Sequence, residues 1–128
     1  MPFDNPHYAP IGDLEILMDA RSRIAKQNMW VKGSFRDGDR HRLVAALFVA
    51  CGSRSLAIPN RKERRLARML ANQLPSRAPF RTIIRLIPSR QRLMWFNDGP
   101  RTCHEDVIAL FDRAIDHLTT EVQRYVSA

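Results

Sequence analysis

The last third of the chain constrains the fold most. Val107, Ile108, Phe111, Ala114, Ile115, Leu118, Val122 and Tyr125 recur at intervals of three and four, one continuous apolar face across about six helical turns. A stripe of that length has to be covered by other elements, and each large side chain it buries contributes about 1.5–3 kcal/mol before entropy is subtracted. The spacing therefore predicts a long helix over residues 103–124 with the other segments arranged around it. Thr102 and Glu105 stand three apart at its start, the spacing of a capping box in which the hydroxyl accepts from an orphan amide and the glutamate reaches back.

Weaker helical periods precede it. Leu14, Leu17, Met18 and Ile24 predict a helix from Asp13, read as its N-cap, to about residue 28, and Pro2, Pro6, Pro10 and Gly12 make residues 1–12 an irregular lead-in. Residues 40–50 are the most apolar segment, and Ala45, Ala46 and Ala50 suit a close-packed helix that Gly52 ends. Asn60 is placed to cap a helix running to residue 74, with Leu66, Leu70 and Leu74 on one side. Phe80, Ile83, Ile84 and Ile87 predict a further short helix before Pro88, a β-branched strand being the alternative. The pattern as a whole implies a mainly α protein: residues 13–128 as a single compact bundle of about four to five helices, with a short extended segment near 83–96 left open.

The chain has 128 residues, 45% of them apolar, which suits one domain. Its longest unbroken apolar run, residues 43–51, is about half of what a bilayer crossing needs, so no membrane span is expected. The first residues lack the basic start and apolar stretch of a secretory signal. Cys51 and Cys103, far apart and without C-x-x-C spacing, fit free thiols in a reducing, cytoplasmic compartment.

Net charge is +8, from 21 Lys and Arg against 13 Asp and Glu, and it is unevenly spread. Residues 53–92 hold eleven basic side chains and a single acid, Glu63. Arg61, Arg64, Arg65 and Arg68 fall within about 100° of one another on a helical wheel, and Arg77, Arg81 and Arg85 follow at steps of four. Such a face is expected to attract nucleic acid or an acidic protein. The plainer alternative is a soluble surface rich in arginine, since Phe80 alone among aromatic side chains falls between these arginines, too few for base stacking. Exposed apolar surface around residues 80–87 would suit a homodimer.

Phosphate-cradling glycine loops, dinucleotide fingerprints and zinc-spaced Cys and His pairs do not occur, so no metal or cofactor is expected, and a reaction is not assigned. The one dense polar cluster is Asn97, Asp98, Thr102 and His104, with Glu105 and Asp106 beside it. On the wheel His104 joins Ile108, Phe111 and Ile115 on the apolar face. An imidazole held there near Asp98 or Glu105 is a candidate base or metal ligand. The structural alternative has Asn97 and Asp98 capping the turn and His104 donating to a backbone carbonyl. Trp30 and Trp95 are candidate walls of a ligand pocket beside it. His7 and His41 stand alone.

Across residues 96–107 and 110–115, with the pattern Asn97-Asp98-x-Pro100-x-Thr102-x-His104 leading into the last helix, the chain resembles a bacterial family of small proteins catalogued as a domain of unknown function. Leu14-Glu15-Ile16-Leu17, Ala20-Arg21, Trp30 and Gly33 carry the likeness further. The resemblance implies a domain covering most of the chain and marks Asn97, Asp98, Thr102 and His104 as positions of interest. It implies no reaction.

Overall fold

The computed structural model describes residues 8–33, 36–37, 40–52, 60–75 and 86–127. Five α-helices carry these residues: α1 (Tyr8–Arg23), α2 (Leu43–Ala50), α3 (Arg61–Asn72), α4 (Ser89–Asn97) and α5 (His104–Ser127). A 3-10 turn, Gln27–Met29, follows α1. Two short antiparallel strands, β1 (Arg36–Asp37) and β2 (Arg40–His41), precede α2, with Arg36 opposite His41 and Asp37 opposite Arg40.

The long C-terminal helix is present as its period requires. At 24 residues it spans about 36 Å, and it buries Val107, Leu110, Phe111, Ala114 and Leu118. Helix α1 lies along it and also packs on α2, while α3 packs on α4. The most apolar helix, α2, touches α1, α3 and α4, and every residue from Leu43 to Leu47 is buried. A helix apolar on all sides is stable only when surrounded in this way. Gly52 follows it with φ +69°, a left-handed conformation that favours glycine.

Three boundaries differ from the sequence expectation. Helix α1 starts at Tyr8 instead of Asp13, with Pro10 in the first turn, where a missing N–H is tolerated, so residues 8–12 are helical and not an irregular lead-in. Asp13 is therefore no cap. It heads the stripe Asp13, Leu17, Ala20, Ile24, spaced by four, three and four, and is buried with it. The stretch left open as extended is helical at 89–97, as α4, and the only strands among the described residues are the pair at 36–37 and 40–41. The helix or strand expected over Phe80, Ile83 and Ile84 lies outside the described residues. So does most of the surface considered for a homodimer. Among the described residues no helix is long and apolar enough to cross a membrane.

Asn60 caps α3 as its position predicts, its side chain accepting from the Glu63 amide at 2.7 Å and donating to the Cys51 carbonyl at 3.2 Å. That helix buries Leu66, Ala67, Leu70, Ala71 and, in the same stripe, Glu63. Burial of a carboxylate needs a partner, and Arg90 of α4 supplies one at 3.3 Å.

Candidate functional site

The residues singled out in the sequence gather where α4 turns into α5, but each is engaged with a different part of the chain. Asn97, the last residue of α4, is fully buried. Its Oδ1 accepts from Trp30 Nε1 at 2.6 Å and from the Leu43 amide at 3.2 Å, and its Nδ2 donates to the Val31 carbonyl at 3.1 Å and to Asp98 Oδ1 at 3.0 Å. The hydrogen-bonding capacity of a carboxamide is thereby filled. The bond to Leu43 has a further consequence. Leu43 opens α2, and the N-cap position, Arg42, provides no side-chain cap of its own. Asn97 thus caps α2 from another helix, meeting an orphan amide that would otherwise be buried unpaired.

Asp98 continues the grip on the segment before α2. Its Oδ1 accepts from the Gly33 amide at 2.8 Å and its Oδ2 from Arg42 Nη2 at 2.5 Å, while Lys32 Nζ donates to the Gly99 carbonyl at 2.6 Å. Gly33 has φ +76°, which suits glycine and turns its amide to the carboxylate. Gly99 is set by close approach: a Cβ there would stand 2.9 Å from Thr102 Oγ1 and 3.3 Å from the Phe96 carbonyl.

His104 is half-buried at the first position of α5, and its Nε2 lies 2.6 Å from the Ile24 carbonyl oxygen. A carbonyl only accepts, so Nε2 carries the proton and donates. Ile24 immediately follows α1, where the last carbonyls lack helical partners. The imidazole therefore caps the end of α1, the carbonyl bond that the structural alternative expected. The Trp30 ring flanks it with centroids 5.8 Å apart and planes tilted by 49°. Trp95 does not share that place; it projects from the outer side of α4, 58% exposed.

The capping box of α5 is shifted by one residue. Cys103, not Thr102, precedes the helix, and Asp106, not Glu105, reaches back to it: the Cys103 amide donates to Asp106 Oδ2 at 2.9 Å, and Cys103 Sγ lies 3.2 Å from the same oxygen. Those bonds, the amide first, hold the Asp106 carboxyl below its usual range. Thr102 instead lines an open pocket of about 410 Å³ with Phe96, Arg101, Asp106, Arg113 and Leu74.

The basic face is also redistributed. On α3, Arg61, Lys62, Arg64 and Arg68 are exposed. Arg65 is instead engaged within the fold, its Nε and Nη2 binding the two oxygens of buried Asp13 at 2.8 and 2.6 Å. The side-chain bonds to Asp13 raise its pKa further, against the opposing effect of burial. Arg77, Arg81 and Arg85 lie outside the described residues. Beside Asp13 and Glu63, Cys51 is a free, half-buried thiol. Burial first, then the two carboxylates, push it up to about 12, which leaves it protonated and unreactive near neutrality. Among the described residues no group of three or more His, Cys, Asp and Glu side chains is placed to hold a metal ion.

Several of these contacts were not read from the sequence. Lys32, Gly33 and Arg42 carry no motif that would mark them as partners of the 97–99 turn, and Glu63 offered only its isolation among basic residues. The match to known proteins is at family level: a model described as a family of unknown function (DUF6197) covers residues 10–117. No curated protein and no solved structure matches.

Proposed function

The chain belongs to this family of unknown function, and because membership brings no activity with it, we propose from the molecular surface that the protein is a binding module for a polyanionic partner, an acidic protein or a nucleic acid. The observation that carries the reading is the exposed side of α3. Arg61, Lys62, Arg64 and Arg68 are exposed there, and the one acid of the helix, Glu63, is buried on the opposite side. A helix face with exposed cations, on a helix whose own acid is buried, concentrates anions and steers them in from solution. Arginine predominates on it, and its fork of donors matches carboxylate and phosphate oxygens two at a time.

The experiment is a titration of the full chain with duplex nucleic acid and, separately, with an acidic polypeptide, at two salt concentrations. Four cation contacts to a nucleic acid should weaken binding by about a hundredfold between 50 and 200 mM salt. Arg61→Glu with Lys62→Glu should abolish binding without lowering the melting temperature. Binding equal at both salt concentrations would sink the reading. Arg65 is left out of the charge reversal because its partner is Asp13.

A second reading, a small-ligand site around the 97–104 turn, draws support from one place only. Asn97, Asp98 and His104 are committed to bonds that hold the fold, whereas Thr102 faces the pocket shared with Arg101 and Arg113. A rise in melting temperature with a small acidic compound, lost in Thr102→Val, would favour it.

A further inference from the structure

Arg68 belongs both to the exposed side of α3 and to the wall of a second open cavity, also of about 410 Å³, between α3 and the start of α4. Asn72, one turn further along α3, lines it too. Ser89 and Arg92, three residues apart, come from the beginning of α4, and Ile87 and Pro88 give it an apolar side. Arg92 is held in place by an Nη2 bond to the Ala71 carbonyl at 3.3 Å. Residues bearing two guanidinium groups, a carboxamide and a hydroxyl thus line it from two helices, and among the described residues no carboxylate does.

The charge of that lining selects an anion. Its geometry selects among anions. A carboxylate has two oxygens in one plane and is satisfied by a single guanidinium fork, whereas a phosphoryl group spreads three oxygens and takes donors arriving from several sides. We propose that this cavity binds a phosphoryl group, whether of free phosphate, of a phosphorylated small molecule or of a nucleic-acid backbone. The site goes beyond the polyanion-binding face: its ligand is one phosphoryl group, and it stands whether or not α3 binds a polymer.

The test is a titration of the full chain with inorganic phosphate at constant ionic strength, followed by backbone amide NMR. Saturable shifts centred on residues 68–72 and 89–92 are expected, with affinity reduced about tenfold in Arg68→Gln, the loss of one charge-assisted hydrogen bond, and less in Ser89→Ala. Arg68 is exposed and Ser89 is the first residue of its helix, so both variants should fold; if Arg68→Gln melts early, Ser89→Ala carries the comparison. A 5′-mononucleotide and an unphosphorylated duplex are then competed against phosphate. Displacement by the mononucleotide alone points to a small phosphorylated ligand, and displacement by the duplex to a backbone phosphate; either supports the site. Arg61→Glu with Lys62→Glu separates the two proposals, since it should end polymer binding and leave phosphate saturating at the same residues. Shifts that never saturate and equal those of added chloride would overturn the proposal, as would saturation unchanged in both cavity variants.

Discussion

Asp13 and Arg65 share two hydrogen bonds but not one environment, the aspartate side chain being 5% exposed and the arginine side chain 40%. Removing the guanidinium leaves a dry, unpaired carboxylate; removing the carboxylate leaves a cation that reaches water. Arg65→Ala is therefore expected to destabilise by about 3 kcal/mol and Asp13→Ala by only about 1 kcal/mol, read from urea unfolding. Equal losses would mean that the pair acts through packing alone. Cys51, nearby, gives a pH signature. Its thiol ionises less readily in the folded chain, up to about 12 against an ordinary 9.0, so the folded state keeps this proton longer than the unfolded one. That contribution is complete below about pH 9 and is lost as pH rises toward 12. Cys51→Ala should flatten the alkaline fall in stability, and an unchanged fall would assign it to other groups. Neither residue's role was legible locally. Asp13 just before an apolar period reads as a cap by every short-range rule, and its partner lies 52 residues away.

At the scale of elements, the 97–104 turn joins helix ends to one another. Asn97 supplies the missing cap of α2 and His104 that of α1, so two helices depend on the ends of two others for their termini. Asn97→Ala strips partners from the Trp30 indole, the Leu43 amide and the Val31 carbonyl together. A loss of about 3 kcal/mol or more is expected in denaturant titration, and a loss below about 1 kcal/mol would mean that solvent replaces those bonds. The helices themselves were legible wherever an apolar stripe repeated: α5 by its eight-residue face, α3 by its cap and leucines, α2 by composition. Their ends were less so. The box at α5 slipped by one because Glu105 and Asp106 both have suitable side chains, and the choice between registers depends on where the preceding turn delivers the chain. Two-residue strands are too short to show a period at all.

Over the whole molecule the charge excess raises a question of sign. A net charge of +8 on 128 residues repels itself in the compact state, while exposed pairs such as Arg21–Asp112 at 2.7 Å oppose that repulsion weakly. Added salt screens both, reducing the Debye length from about 10 Å at 0.1 M to about 3 Å at 1 M. Arg65–Asp13 and Arg90–Glu63 each have a nearly buried carboxylate and should be screened less than the surface charges. The surplus of exposed cations over exposed anions then decides the direction: stability should rise with salt, as an upward shift of melting temperature between 50 and 500 mM. Binding of a polyanion by α3 should fall over the same range, because the cations that destabilise the free protein are the ones a partner neutralises. The two responses therefore carry opposite signs. A melting temperature that fell together with affinity would instead mean that surface ion pairs outweigh the net repulsion, and that the basic face is already neutralised within the fold.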